Sequence, residues 1–258
     1  MLSIDQVYKI LIKHHIPNAY PISRQLVESG LSTSSNVQLI IDGYPVDYIL
    51  CDVEFFGVKI QVDSSVLIPR PETELLVQEV ITWVETENIK KLNVLDLCSG
   101  SGCIAISLKK RFPSFSVFGI DFSKKAIEKA NLNGRRNQVE VTFIQADLLE
   151  EVRLPLLDLV VANPPYISAI EYETLDKSVK DYEPEMALTD HLDGLSFYRR
   201  IEKQLPSFLN LGAKLFFEIG KDQKMDLFQI FSNARWKNLN CKKDYAGLDR
   251  FFSLEYAG

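Results

Sequence analysis

Short runs of aliphatic and aromatic residues alternate with helical patterns along residues 92–219, and this alternation constrains the fold more than any other feature. Each run is too short for a helix and is typical of a strand buried on both faces of a sheet. Repeated β-α-β units produce a mostly parallel sheet with helices on both faces. We predict strands at 94–97, 116–121, 139–144, 157–162 and 214–219, with intervening helices at 104–111, 123–133 and 195–209.

The residues before this region have a different pattern. Fragments of helical period are broken at Pro17 and Pro21, which predicts a small helical domain. β-Branched and aromatic residues around Gly57 then predict a β-hairpin made by residues 48–55 and 58–62. We therefore predict three parts: an N-terminal helical domain at 1–47, a β-hairpin linker at 48–66 and an α/β domain at 67–258.

The α/β domain has a recognisable beginning and end. Pro71 and the acidic residues after it suit the first turn of a helix, which we predict to end near Trp83. At the other end, residues 239–245 and 251–256 predict an antiparallel hairpin around Gly247. We therefore expect a mostly parallel sheet that carries an antiparallel hairpin at its C-terminal edge.

Composition and charge limit the function classes. The 258 residues carry a formal net charge of −6 and no apolar run that spans a bilayer, so we expect neither membrane association nor stable nucleic-acid binding. The first residues lack the pattern of a signal peptide. Four scattered cysteines without CxxC spacing indicate free thiols and a cytoplasmic protein. With only three histidines, we expect no metal site.

A loop with two glycines, Asp96-Leu97-Cys98-Ser99-Gly100-Ser101-Gly102, joins a predicted strand to a predicted helix. Such a loop binds nucleotides, because glycines let the backbone approach the ligand and the helix N-terminus offers free N–H groups. Asp121 ends the next strand, where a carboxylate can accept both ribose hydroxyls. Gly100, Gly102 and Ala105 also match the GxGxxA pattern of dinucleotide sites. A tight strand-to-helix turn without a ligand is the alternative interpretation.

The segment Asn163-Pro164-Pro165-Tyr166 directly follows the predicted strand 157–162. Its two prolines fix φ and remove two N–H groups, so the loop is stiff and presents free acceptors at the edge of the sheet. A carbonyl and the Asn163 side-chain oxygen can accept both protons of a planar –NH2 group, while the Tyr166 ring packs against its face. Holding both protons directs the nitrogen lone pair towards an incoming methyl carbon. A Pro-Pro turn that merely ends a strand is the alternative.

These motifs resemble known methyltransferases. Asp96, four residues before Gly100, resembles the acid in the S-adenosylmethionine loop of Rossmann-like enzymes, and the Asn-Pro-Pro-Tyr loop resembles that of amino-group N-methyltransferases. Further motifs narrow the resemblance to the release factor glutamine methyltransferases, the HemK/PrmC family, over residues 48–256. They are Leu67-Ile68-Pro69-Arg70-Pro71-Glu72-Thr73-Glu74, Glu183-Pro184, Asp193-Gly194-Leu195, Glu218-Ile219-Gly220 and Gly247-Leu248-Asp249-Arg250.

The resemblance implies a class I methyltransferase fold, Rossmann-like, with S-adenosylmethionine as cofactor and S-adenosylhomocysteine as product. It implies that Asp121 binds the ribose and that Asp147 and Leu148 flank the adenine, although Asp147 by itself also suits a helix cap. It also implies that Asn163 adjoins the cofactor. The residues of the loop that are implied to contact it are Asp96, Cys98, Ser99, Gly100, Ser101 and Gly102.

The resemblance also implies a substrate. The family methylates the glutamine side-chain amide in the Gly-Gly-Gln motif of class 1 peptide chain release factors and so modulates translation termination. Catalysis would fall to Asn163, Pro164 and Tyr166, with Pro165 completing the substrate loop and residues 70–74 closing over the pocket. The N-terminal domain would dock the release factor, and we expect a monomer.

Two features depart from the family pattern. Cys98 stands where the family usually has the first glycine of the loop, which is harmless if that position has negative φ and otherwise slightly weakens the cofactor assignment. The N-terminal helical part is also shorter than usual, which weakens the docking role implied for it.

Three other functions stay open at this point. A DNA or RNA adenine amino methyltransferase presents the same –NH2 geometry, and the basic residues between 109 and 136 are either a solvated surface or a contact for an acidic partner or ribosomal RNA. A nicotinamide dehydrogenase and a binding module with an inactive methyltransferase fold are the others. Residues 167–190 suit a helix followed by a substrate loop.

Overall fold

The computed structural model describes all 258 residues, and the first 50 of them form four helices. These are α1 (Ile4–Lys13), α2 (Ala19–Glu28), α3 (Ser34–Ile41) and α4 (Val46–Leu50). Their apolar faces enclose a small core that includes Val7, Leu11, Leu26 and Val37. The predicted helical character is confirmed, but Pro21 does not break a helix. Pro21 lies in the first turn of α2, where a backbone N–H has no intrahelical partner to lose.

A short hairpin made of β1 (Asp52–Phe55) and β2 (Val58–Gln61) follows α4. Its turn residues, Phe56 and Gly57, both have positive φ, as a type I′ turn requires. The prediction that this strand begins at residue 48 is wrong, because Tyr48 lies in α4. Pro45 at the N-cap favours the start of a helical turn, and Cys51 ends it in the left-handed conformation. The boundary predicted between residues 47 and 48 therefore falls inside a helix.

Helix α5 (Pro71–Thr86) opens the α/β domain. Its start at Pro71 is confirmed, whereas its end lies three residues beyond the predicted position at Trp83. No glycine or proline interrupts the helix there, and it stops just before Asn88, which has a positive φ of 53°. Asparagine tolerates this conformation better than most residues, so it makes a suitable stop signal.

Seven strands form the central sheet, in the order β5-β4-β3-β6-β7-β9-β8. Strands β3 to β7 pair in parallel, and β9 lies antiparallel to both β7 and β8. The prediction of a mostly parallel sheet with a C-terminal antiparallel hairpin is therefore confirmed. The strands are β3 (Asn93–Leu97), β4 (Ser116–Asp121), β5 (Thr142–Gln145), β6 (Leu157–Ala162), β7 (Leu209–Glu218), β8 (Trp236–Lys243) and β9 (Asp249–Tyr256).

Helices cover both faces of this sheet, and none of them is long and apolar enough to cross a membrane. Along β6, Leu159 and Val161 join one apolar core while Val160 and Ala162 join the core on the opposite face. This alternation explains why the strand is apolar throughout. The remaining helices are α6 (Cys103–Arg111), α7 (Lys124–Arg136), α8 (Ala169–Tyr172), α9 (Lys177–Lys180), α10 (Ser196–Gln204) and α11 (Lys224–Ile230).

Further predicted segments differ from the structure, among them the strand expected at 139–144, which begins only at Thr142. The helix expected at 195–209 ends at Gln204, because Pro206 turns the chain into a 3-10 helix at Leu205–Phe208, and β7 then begins earlier than predicted. The stretch 167–190 contains α8, α9 and a 3-10 turn at Glu185–Ala187 rather than one helix and a loop.

Two asparagines at the end of α7 attach the hairpin to the α/β domain. Asn133 is fully buried, and its side-chain amide bonds both backbone groups of Gln61 in β2. Asn137, one turn later, bonds both backbone groups of Lys59 in the same way. Asn133 also donates to the carbonyl of Ser101 at 3.0 Å. Side chains therefore satisfy backbone N–H and C=O groups at the edge of β2, and Asn133 links the hairpin to the glycine loop by hydrogen bonds.

Candidate active site

A cavity of about 390 Å³ opens at the carboxyl ends of β3, β4 and β6. Parallel strands end at the same edge, which is where open α/β sheets bind ligands. Predicted site residues on the cavity wall are Cys98, Ser99, Gly100, Ser101, Asp121, Asp147, Asn163 and Pro165. Those that do not reach the wall are Asp96, Gly102, Leu148, Pro164 and Tyr166.

The two glycines of the loop have different roles. Gly100 lies on the wall with a φ of 51°, and a Cβ built there meets nothing within 4 Å, so the backbone is open to a ligand. Gly102 caps α6 with a φ of 80°, and a Cβ there would lie 2.8 Å from the Phe143 ring and 3.1 Å from Ala130. Gly102 is therefore required by the packing of α6.

Cys98 adopts a φ of 63°, so the negative φ that would make this substitution harmless is absent. A left-handed conformation costs a residue with a side chain about 1–2 kcal/mol relative to glycine. The thiol packs against the apolar core below the cavity, and burial raises its pKa well above the ordinary value. Cys98 is therefore a strained but inert part of the cavity wall.

Asp96 is fully buried beneath the loop. Its Oδ2 accepts the N–H of Ala105 at 3.1 Å in the first turn of α6, whereas its Oδ1 has no hydrogen-bond partner. Burial raises the pKa of this carboxyl to about 8, and the charge of Asp121 adds to the shift. An unpartnered buried oxygen is costly, so Asp96 is a group that a donor from the cavity side would stabilise.

Asp121 holds the loop in place. Its Oδ2 accepts the N–H of Gly100 and its Oδ1 accepts the N–H of Ser123, both at 2.8 Å. Burial raises the pKa of this carboxyl. Because each carboxylate oxygen can accept two hydrogen bonds, both retain capacity for hydroxyl groups in the cavity.

The side chains of Asp147 and Leu148, which follow β5, lie in different environments. Asp147 lies on the wall and pairs with Arg200 of α10 at 2.8 Å. Leu148 has a φ of 54° and its side chain is buried in the core between the sheet and α10. A ligand in the cavity therefore has Asp147 and Arg200 beside it, and the expected flanking role of Leu148 has no support in its position.

The Asn-Pro-Pro-Tyr loop leaves the sheet directly after β6. Asn163 and Pro165 reach the cavity, whereas Pro164 is buried behind them. The Asn163 side chain donates from Nδ2 to Thr73 Oγ1 at 3.2 Å, and its Oδ1 receives no hydrogen bond from the protein. Asn163 therefore has one amide oxygen without a partner and lines the same cavity as the glycine loop.

Tyr166 is tied down from two sides. Its hydroxyl donates to Oε1 of Glu218 at 3.1 Å, and its carbonyl accepts Nε2 of Gln223 at 2.8 Å. Gln223 also donates to the carbonyl of Gly194, and a Cβ at Gly194 would lie 2.2 Å from the Tyr166 oxygen. Only glycine fits between these groups. The Asp-Gly-Leu motif noted in the sequence therefore acts by close packing against the loop.

Glu218 and Thr73 are functional candidates to which the sequence analysis assigns no individual role. Glu218 ends β7 almost fully buried, and its Oε2 accepts the Thr73 hydroxyl at 2.7 Å. Burial raises the pKa of this carboxyl, while Thr73, Tyr166 and Arg250 oppose the shift. Only their presence inside two motifs of the family resemblance, around Pro71 and Ile219, indicated these two residues in the sequence.

The segments on either side of the cavity mouth are joined by an ion pair. Arg70, in the linker before α5, bonds Glu183, whose carboxylate also accepts the N–H of Ile68 at 3.2 Å. Glu183 is buried and Arg70 is partly exposed on the cavity wall. Residues 184–191 continue the wall from Glu183, so both the linker and this segment contribute to the site.

Comparison with known proteins agrees with this geometry. A family model described as methyltransferase small domain matches residues 71–180. Over 219 residues the chain is 39% identical to a release factor glutamine methyltransferase of Flavobacterium psychrophilum, covering 82% of this chain and 75% of that protein. It is 37% identical over 229 residues to the one of Thermodesulfovibrio yellowstonii, covering 88% and 82%.

A solved methyltransferase from Pyrococcus furiosus superimposes with a TM-score of 0.59 at 16% identity, covering 88% of this chain and all of that one. That likeness concerns the fold alone, and it confirms the predicted class I methyltransferase architecture. The chain belongs to the family of release factor glutamine methyltransferases.

Proposed function

We propose that the protein transfers a methyl group from S-adenosylmethionine to the side-chain amide of the glutamine in the Gly-Gly-Gln motif of class 1 release factors. The observation that carries the proposal is the position of Asn163. Asn163 lines a cavity that the glycine loop lines from the neighbouring strand, and its Oδ1 accepts no hydrogen bond from the protein. An acceptor of this kind suits a planar –NH2 group held beside a cofactor.

The cavity residues fit S-adenosylmethionine. Gly100 leaves open space for a close approach, and the buried Ser99 hydroxyl has no partner of its own. Asp121 has spare acceptor capacity for ribose hydroxyls, and Phe122 beside it exposes an aromatic ring on the wall. Asp96, with one unpartnered oxygen under the loop, supports the proposal that it stabilises the methionine amino end. The cofactor, when bound, supplies an electrophilic sulfonium methyl group.

The protein contributes position and electrostatics. In this proposal Asn163 Oδ1 and the backbone carbonyl of Pro164 accept the two amide protons, and Tyr166, held by Glu218, supports the loop from behind the cavity wall. With both protons held, the nitrogen lone pair points at the methyl carbon, so the N–C bond forms as the S–C bond breaks. The positive charge that develops on nitrogen is stabilised by the two oxygens, and one proton is then released to water.

The position of the N-terminal domain and the charge of the protein support a protein substrate. The N-terminal domain adjoins the hairpin and the cavity linker, and we assign to it the docking of the release factor. The acidic net charge of −6 and the local pairing of the basic residues support a protein substrate. Arg111 pairs with Glu85, and Arg136 pairs with Asp52. The cytoplasmic location and the monomeric state expected from the sequence belong to this proposal.

The test is transfer of radiolabelled methyl from S-adenosylmethionine to a purified class 1 release factor. The same release factor with Gly-Gly-Ala in place of Gly-Gly-Gln serves as the control, together with unmethylated duplex DNA. Label on the first substrate alone supports the proposal. Label on the alanine variant moves the acceptor to another residue, and label on DNA moves the protein to the adenine methyltransferases.

A further inference from the structure

A chain of hydrogen bonds runs from a buried carboxylate to the side chain of Asn163. Glu218 accepts the Thr73 hydroxyl at 2.7 Å, and Thr73 Oγ1 in turn accepts Nδ2 of Asn163 at 3.2 Å. The links come from the end of β7, the first turn of α5 and the loop after β6. Glu218 and Thr73 are 1% and 2% exposed, so the hydrogen bond between these two residues is shielded from water.

The direction of donation along these hydrogen bonds fixes the orientation of the Asn163 amide. Both carboxylate oxygens of Glu218 accept hydroxyl groups, so Thr73 spends its single hydroxyl proton on Glu218. The remaining groups on Thr73 Oγ1 are lone pairs, which attract the –NH2 end of Asn163 and repel its carbonyl end. The Asn163 oxygen is left without a hydrogen bond from the protein, on a side chain that lines the cavity. With the opposite orientation, the loop would present a donor to the substrate amide instead of an acceptor.

The same carboxylate also fixes the second side chain of the loop. Its other oxygen, Oε1, accepts the Tyr166 hydroxyl at 3.1 Å. Arg250 of β9 contributes a positive charge near Glu218 and donates to the carbonyl of Ile219 at 3.1 Å. Tyr198 donates to the Glu218 backbone carbonyl at 2.6 Å. Glu218 is therefore held rigidly while both of its oxygens serve the Asn-Pro-Pro-Tyr loop.

We propose that Glu218 and Thr73 are positioning residues that set the polarity of the Asn163 amide, so that its oxygen, and not its –NH2 group, meets the methyl acceptor. The inference rests on the proposed function for its consequence in catalysis. The orientation of Asn163 itself depends only on the three side chains and can be measured without any methyl acceptor.

The variants are Thr73→Val, which keeps the shape of the side chain and removes the hydroxyl, and Thr73→Ser, which keeps the hydroxyl. We expect Thr73→Val to lower kcat about 10- to 100-fold, the effect of losing one or two oriented hydrogen bonds, with less than a threefold change in the Kd for S-adenosylmethionine. Thr73→Ser should retain kcat within about threefold. Thr82→Val, on the exposed face of the same helix, should change neither value.

Glu218→Gln refines the test because a glutamine is neutral and has one donor end. If that donor meets Thr73, the hydroxyl proton turns towards Asn163 and the amide reverses, whereas the other rotamer keeps the native order. We therefore expect a kcat between those of Thr73→Ser and Thr73→Val. A Glu218→Gln variant more active than the wild type would overturn the assignment.

The orientation is measured by NMR on protein labelled with 15N at asparagine side chains. The Asn163 –NH2 signal, assigned by its loss in Asn163→Asp, should show slow hydrogen exchange in the wild type and in Thr73→Ser, and fast exchange in Thr73→Val. Equal exchange in all three, or wild-type kcat in Thr73→Val, overturns the inference. Because this readout needs no release factor, a wild-type enzyme that fails to methylate one refutes the proposed function and leaves the inference decidable.

Discussion

Arg70 and Glu183, 113 residues apart in the chain, form an ion pair that joins the linker before α5 to the segment along the opposite side of the cavity. The carboxylate is almost fully buried and also accepts the backbone N–H of Ile68. Truncating a buried partner leaves the other charge and the N–H without compensation.

We therefore expect Glu183→Ala to lower the free energy of unfolding by about 2 kcal/mol. This loss is smaller than that for a fully buried ion pair because Arg70 is partly exposed to solvent. Urea denaturation measures this change. Glu28→Ala, which breaks the exposed Arg24–Glu28 pair of α2, should change the free energy by less than about 0.5 kcal/mol. Equal losses in the two variants would contradict the special role of the cavity pair.

Asn163→Ala removes the free amide oxygen without touching the glycine loop. We expect kcat for methyl transfer to fall about 100-fold or more, because one of the two acceptors for the substrate –NH2 group is lost. The Kd for S-adenosylmethionine, measured by calorimetry, should change by less than about threefold. Near-normal kcat in this variant would refute the role of Asn163.

Gly194→Ala should displace the Asn-Pro-Pro-Tyr loop. The added Cβ would lie 2.2 Å from the Tyr166 carbonyl oxygen, a backbone atom, and φ at this position is 77°. We expect a loss of about 3 kcal/mol in the free energy of unfolding, together with a reduced kcat. Gly247→Ala has a φ of 79° with nothing within 4 Å, so it should cost only about 1 kcal/mol. Similar costs in both variants would show that packing against Tyr166 is unimportant.

Cys98 allows the strain in the loop to be measured. Its φ of 63° is tolerated by glycine and strongly disfavoured for β-branched residues. We expect Cys98→Gly to stay within about 1 kcal/mol of the wild type, since relief of strain offsets lost packing. Cys98→Val should lose about 2 kcal/mol or more in thermal unfolding. A Cys98→Val protein as stable as Cys98→Gly would contradict the left-handed conformation.

Asp96 should give the cofactor-free protein a distinctive pH dependence. Its pKa is raised from 3.8 to about 8 by burial, so between these pH values the folded state keeps a proton that the unfolded state releases. The stabilisation is full below pH 3.8 and is lost as the pH rises towards 8, with a slope of about 1.4 kcal/mol per pH unit.

Asp96→Asn removes this titration, so its melting temperature should fall less than that of the wild type between pH 5 and about pH 8. Asp222→Asn, at an exposed carboxylate, should follow the wild-type curve. Parallel curves for wild type and Asp96→Asn would show that the carboxyl of Asp96 is not protonated in the folded state.

The sequence determined the parts of this protein that local physics encodes. Alternating apolar runs and helical patterns set the parallel sheet, and the order of strands with their following loops placed the glycine loop, Asp121 and Asn163 at one edge. Prolines fixed the stiffness of the loop after β6, because their effect on φ needs no distant partner. The sequence predicts a helix break at Pro21 and a strand at Tyr48, and both predictions are wrong. Neighbouring residues decide whether a proline starts or breaks a helix: Pro21 lies in the first turn of α2, and Pro45 precedes the helix that contains Tyr48.

Only the tertiary structure decided which distant residues support the site through hydrogen bonds and packing. Glu218 meets Thr73 across 145 residues and Tyr166 across 52, and neither distance leaves a periodic signal in the sequence. The same applies to Leu148, which a left-handed turn directs into the core while Asp147 stays on the cavity wall. Backbone preferences act between neighbours, whereas these contacts exist only after the sheet has brought its strand ends together and excluded water from them.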